Sequence, residues 1–255
     1  MGWMKVKEIS EPARADVAVL GFPGMANVGE QVITYLIKNL NPVPVAKIYS
    51  EYLMFPNNMV GISVLEEGRF ALPSISVFQS KDPSIALVTS DVQPVPWGGM
   101  EVANEVLRIL DRMGVAKTVV VTGFVDENYA GKVLAFGDDE ELLGKFLDAG
   151  ALKESLIKSV IGLAGSMLGM AKIRGLNSVV LSGVAPDYSP DPKAAKGVLE
   201  ILDKTFSLGL DFEMIDKEIE EIERIKSELI KEIERRIREE LGGHGEMDES
   251  AEYVG

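Results

Sequence analysis

Apolar residues along this chain follow two patterns that alternate. Short continuous apolar runs at residues 17–20, 84–90, 117–121 and 178–181 are each closed by small or polar residues. Runs of that length and closure predict strands buried on both faces. Between and after them, apolar positions recur every three or four residues, as in Val28, Val32, Ile33, Leu36 and Ile37, and again in Val102, Val106, Ile109 and Leu110. That period predicts helices with one buried face. Further helices are expected from Asp138 to Leu147, opened by an acidic first turn, at 160–176, and at 193–202 behind the loop 186–192. The first turn of a helix favours acidic side chains, which accounts for Asp138 to Glu141 without a metal. Residues 5–9 suit an edge strand before Pro12, and residues 43–49 a further strand behind Pro42 and Pro44, which exclude helix there. Residues 50–78 break into short apolar pieces punctuated by Pro56, Asn57, Asn58, Gly61, Gly68 and Pro73, the text of a β-hairpin excursion. Strands alternating with helices at this spacing specify an α/β fold: three αβα layers around a mostly parallel sheet, with the hairpin excursion and a long C-terminal helix added.

That last helix, residues 212–241, carries an apolar stripe of Ile215, Ile219, Ile222, Ile225, Leu229, Ile233, Ile237 and Leu241. Its mean step of about 3.7 residues is longer than the 3.5 of a left-handed coiled coil, so it calls for a nearly straight helix along a partner surface. Glu220 with Arg224, Glu228 with Lys231, and Glu232 with Arg235 or Arg236 fall at ion-pair spacing on its other faces. The expected organisation is one αβα domain over 1–211, the helix over 212–241 for oligomer or partner contact, and a flexible acidic tail over 242–255. Eight apolar side chains on one exposed stripe exceed what soluble monomers usually tolerate, so the stripe should be covered. Gly162, Gly165, Ser166 and Gly169 share one face of the helix at 160–176. Small residues there let another backbone approach, either the sheet beneath or a second copy, and Gly162, Gly165 and Gly169 join the candidate interface.

Composition narrows the chemistry. The 255 residues carry a formal net charge of −14, with no cysteine and one histidine, His244. Thiolate and multi-imidazole metal sites and disulfides are thereby removed, and the acidic surplus disfavours nucleic acid. No cofactor and no metal are expected. The opening residues lack a signal core, and no apolar run approaches the roughly 18 residues of a membrane span, so a cytoplasmic protein without membrane contact is expected. Abundant Glu and Lys with no Cys lean toward a thermophilic source.

The stretch GFPGMANVG, residues 21–29, leaves the first buried strand and opens a helix. Such a junction lies at the carboxyl end of a strand, where ligand crevices form, and glycines there admit sharp turning at φ > 0. Its spacing is neither the dinucleotide GxGxxG nor a phosphate loop. The Pro- and Gly-rich stretch 91–100 leaves the central strand likewise. Gly21, Gly24, Asn27, Gly29, Asp91 and Gln93 are the candidate crevice residues. An enzymatic alternative, a nucleotide or nucleoside hydrolase or ligase using this crevice, would need Asp91, Asp126, Glu127, Asp187 or Asp191 as acid or base, since no Gly-x-Ser-x-Gly elbow is present. An Asp at a strand end serves more often as a turn former or cap.

Four pieces coincide in order: GFPGMANVG, DVQPVP, GLAGSMLGMAKIRGL and DPKAAKGVLEIL. Together they resemble the proteasome assembly chaperone family, in particular its archaeal members. The resemblance implies an αβα chaperone without an enzymatic reaction, which self-associates, with a pentameric ring the first guess, and binds proteasome subunits or a related assembly chaperone. Some family members end in an apolar residue, tyrosine and any residue, which dock on the core particle. Here Glu252 precedes Tyr253, Val254 and Gly255. Tyr253 and Val254 are the candidate tail contacts, with a scaffold role expected ahead of activator-like docking.

Overall fold

The computed structural model describes residues 2–65, 68–153 and 156–242. The chain divides into two compact units, Met1–Asp211 and Phe212–Gly255. In the first, strands β1 (Met4–Glu8), β2 (Val17–Gly21), β3 (Val43–Ser50), β6 (Ile75–Ser80), β7 (Ile85–Ser90), β8 (Lys117–Val125), β9 (Val133–Gly137), β10 (Leu152–Lys153) and β11 (Asn177–Ala185) form one sheet. Its order is β1-β3-β6-β7-β2-β8-β11-β9-β10. Helices α1 (Val28–Leu40), α3 (Glu140–Asp148) and α5 (Pro192–Phe206) pack together on one face, and α2 (Gly99–Arg112) with α4 (Gly162–Ile173) on the other. The three αβα layers are those that the apolar periodicity specifies.

The four strands legible as apolar runs, β7, β2, β8 and β11, are adjacent and parallel. Covered on both faces, every residue of β2 is buried. Beyond them β6, β3, β1 and β9 join antiparallel, and β10 runs parallel to β9, so the sheet is mixed. Only residues 81–84 separate β6 from β7, too few for a crossover, so the two form a hairpin and β6 joins the main sheet. The excursion is therefore shorter than residues 50–78: β4 (Ser63–Val64) and β5 (Phe70–Ala71) alone form the separate two-stranded piece. β9, absent from the periodicity reading, runs antiparallel to β11.

Side-chain caps fix the helix starts. Asp139 Oδ1 accepts from Leu142 N at 3.0 Å at the start of α3, and Asp191 Oδ1 accepts from Lys193 N at 2.9 Å and Ala194 N at 3.2 Å at the start of α5. Glu141 pairs with Lys145 at 2.8 Å and Lys117 at 3.0 Å, and hydrogen bonds from the two ammonium groups hold its carboxyl at about 2. The acidic turn is thus occupied by capping and ion pairs. Among the described residues no three acidic or histidine side chains cluster as a metal ion would require, and no helix is long and apolar enough to cross a membrane.

The second unit contains α6 (Glu213–Gly242), 30 residues and about 45 Å long. Arg224 is held by Glu221 and Glu228, so Glu221 takes the place expected of Glu220, and Glu232 binds both Arg235 and Arg236. Ile215 is buried and Ile219 and Ile222 are half-buried. From there the stripe opens to solvent: Ile225, Leu229, Ile233 and Ile237 are 47–57% exposed.

Candidate functional site

Two strand exits diverge at the middle of the sheet. β2 leads to α1 on one face and the neighbouring β7 leads to α2 on the other. A crevice opens wherever adjacent parallel strands send their connections apart in this way. Here it measures about 740 Å³, and is walled by Phe22 to Met25 after β2, Gln93 to Pro96 after β7, the end of β8 from Val121 to Phe124, and Ile157 to Gly162 leading into α4.

Close approach, not φ, explains the glycines of the first turn. A Cβ on Gly21 would stand 2.1 Å from the Gly29 carbonyl oxygen, and one on Gly29 would stand 2.8 Å from that of Val121. The start of α1 therefore lies directly on β2 and β8. The expectation of left-handed glycines is corrected: the residues at positive φ are Ala26 (49°) and Asn27 (51°), while Gly24 has extended backbone at −174° and open surroundings. Gly123, paired with Gly183 across β8 and β11, admits the same turn, since a Cβ there would meet the Met25 carbonyl oxygen at 2.0 Å.

Gln93 braces the crevice. Its side-chain amide donates to the Pro23 carbonyl, and its Oε1 accepts from Leu163 N at 2.9 Å, so one side chain ties the β2 exit to the start of α4. On the outer side of the same loop, Val95 N donates to Tyr52 O at 2.8 Å. The Tyr52 phenol is held above its usual range, chiefly by its hydrogen bond to Glu101. Replacing Gln93 with alanine leaves the Leu163 N–H and the Pro23 carbonyl without this partner. A loss of about 1–2 kcal/mol in urea unfolding is expected, together with faster hydrogen exchange at the start of α4.

Of the six candidate crevice residues, Gly24 and Gln93 line it; Gly21, Asn27, Gly29 and Asp91 do not. Asp91 is a turn former, accepting from Ser74 N at 2.9 Å and Ser74 Oγ at 3.1 Å. Asp126 accepts from Asn128 N, Asp187 from Ser189 N, and Asp191 caps α5. None of these, nor Glu127, lines the crevice. Gly162 does line it, against Gln93, whereas a Cβ on Gly165 would meet the Val160 carbonyl at 2.2 Å and one on Gly169 would meet Met100 of α2. On this small face Gly162 is exposed and Gly165, Ser166 and Gly169 are half-buried. Ile157, Lys158 and Ile161 had no motif to mark them; the chain's return before α4 brings them to the crevice. Tyr253, Val254 and His244 lie outside the described residues.

Residues 18–230 match the PAC2 family. The chain belongs to that family. Its relatives include an uncharacterized protein of Methanocaldococcus jannaschii, 25% identical over 98% of this chain and 96% of its own. Among solved structures, Pyrococcus furiosus PbaB, described as an archaeal proteasome activator, superposes with a TM-score of 0.80 at 25% identity, over 90% of this chain and 99% of PbaB. P. furiosus PbaA, described as an archaeal homolog of proteasome-assembly chaperone, gives 0.74 at 24% identity over 94% of this chain and 99% of its own, a likeness of fold. This PAC2 membership agrees with the resemblance carried by the four motifs.

Proposed function

We propose that this chain is a non-enzymatic chaperone or scaffold of proteasome core particle assembly, which self-associates and binds proteasome subunits or a related assembly chaperone in an archaeal cytoplasm. The observation that carries the reading is the likeness to PbaB over nine-tenths of the chain. Two features of this chain support it. The apolar stripe of α6 ends in side chains about half exposed from Ile225 onward, which suits contact with another protein. Of the carboxylates that an enzymatic reading needs, Asp91, Asp126, Asp187 and Asp191 are engaged in turns and caps, and neither they nor Glu127 line the crevice. The self-assembly we propose is a closed ring, with five subunits as the first number to test.

The test is capture of purified proteasome α-subunits and of the assembled core particle by the full chain. Free α-subunits or a co-purifying assembly chaperone should bind. Deleting Tyr253, Val254 and Gly255 should leave that affinity within tenfold, or about 1.4 kcal/mol, if the body of the assembly is the scaffold. Saturable turnover of nucleotides or nucleosides that Asp91→Asn or Asp187→Asn abolished would replace this reading with the hydrolase or ligase.

A further inference from the structure

The chain holds 40 acidic residues against 26 basic, yet among the described residues no acidic side chain lines the crevice between the β2 and β7 exits. Lys158 is the single charged residue among the described residues that line it. Lys158 is exposed and makes no ion pair among the described residues. Around it the walls are apolar: Phe22 and Phe124 inside, Ile157 beside the lysine, and Ile161 at 72% and Met25 at 39% exposure toward the mouth. Apolar surface held in a concave site of this volume, within the range of small-molecule pockets, gains free energy when a ligand displaces its water.

Polar groups of the site narrow the class of ligand. The Gln93 amide is committed at both ends, to Pro23 and to Leu163, and the latter bond also consumes one of the free amides at the start of α4. Thr122, Ser159 and Ser166 add hydroxyl groups to the lining, but a sugar, nucleotide or peptide brings more donors and acceptors than these, and each left unpaired costs about 1–3 kcal/mol. One negative charge is matched, by one ammonium group. At the edge of an apolar wall that pair is screened less than it would be in open solvent.

We propose that the crevice binds a small apolar monocarboxylate, with its hydrocarbon or aromatic body against Phe22, Phe124, Ile157 and Ile161 and its carboxylate on Lys158. This binding does not rest on the scaffold reading, so its failure would leave that reading intact. Octanoate serves as the probe, titrated calorimetrically into the full-length protein at constant ionic strength beside octanol and octylamine. Saturable binding of octanoate, at least tenfold tighter than octanol or octylamine, is expected. Lys158→Glu should abolish that preference, Lys158→Arg should keep it, and Ile161→Asp should weaken octanoate at least tenfold. Both positions are exposed, so these variants should fold, which thermal unfolding checks. The proposal is overturned if octanol binds as tightly as octanoate, if Lys158→Glu leaves octanoate affinity unchanged, or if a short peptide with an apolar C-terminal residue binds more tightly than octanoate.

Discussion

Gly21→Ala and Gly123→Ala should each destabilise the protein by about 3 kcal/mol or more, while Gly24→Ala should change stability by less than about 0.5 kcal/mol. All three glycines belong to one junction, but they meet different neighbours. At Gly21 the added carbon would lie 2.1 Å from the Gly29 carbonyl oxygen, and at Gly123 it would lie 2.0 Å from that of Met25. Both obstacles are backbone atoms, which cannot rotate away as a side chain can. Relief requires lifting the start of α1 or its preceding turn from the sheet, and that separates buried Leu20, Val28 and Val32 from their packing. At Gly24 the only atom near the added carbon is the Phe22 carbonyl oxygen at 3.8 Å, an ordinary contact, and the backbone there is extended. Urea unfolding of the three variants measures the contrast. Since whole domains are stable by about 5–15 kcal/mol, the two large effects should be visible as lost expression or a much lower midpoint. A Gly21→Ala protein within 1 kcal/mol of the parent would refute the close-approach account.

The same junction shows what a sequence can and cannot disclose. GFPGMANVG was legible as a strand-to-helix turn because glycines there punctuate two clear apolar periods. Their reason was not legible, because a clash with Gly29 or Met25 arises only once β2, α1 and β8 are in place. β2, β7, β8 and β11 were readable because strands covered on both faces need unbroken apolar runs. β6 was hidden in a stretch rich in Pro, Asn and Gly, and its run is interrupted by Ser76, Gln79 and Ser80, all buried. β9 is only five residues, Val133–Gly137, a length at which an apolar run fits loop, strand or helix equally. Gln93 was legible from its place after the central strand. Lys158 was not, since a single lysine in an irregular segment carries no local pattern, and only the fold brings it to an apolar wall.

Ile222→Asp combined with Leu229→Asp should convert the proposed assembly to monomers without unfolding either unit. Ile222 is half-buried and Leu229 is 57% exposed, so neither supports the core of this chain. Their value lies in contact with another surface, where covering an apolar side chain of this size is worth about 1.5–3 kcal/mol. Each subunit of a closed ring repeats the same interface, so a double substitution strikes every contact at once. The change goes beyond lost apolar area, because two carboxylates would have to be buried unpaired for the old contact to form. The helix itself should persist. Its ion pairs from Lys217 to Arg236 lie along the exposed faces, and aspartate in a helix interior costs only about 0.5–0.7 kcal/mol in propensity. Light scattering at micromolar concentration reads the mass, and circular dichroism checks that helix content is kept. A parent protein that is already monomeric would sink the ring. A parent oligomer whose mass the double variant leaves unchanged would move the subunit interface off α6, and the stripe would then be left for a different partner, to be tested by loss of chaperone or α-subunit capture in the same variant.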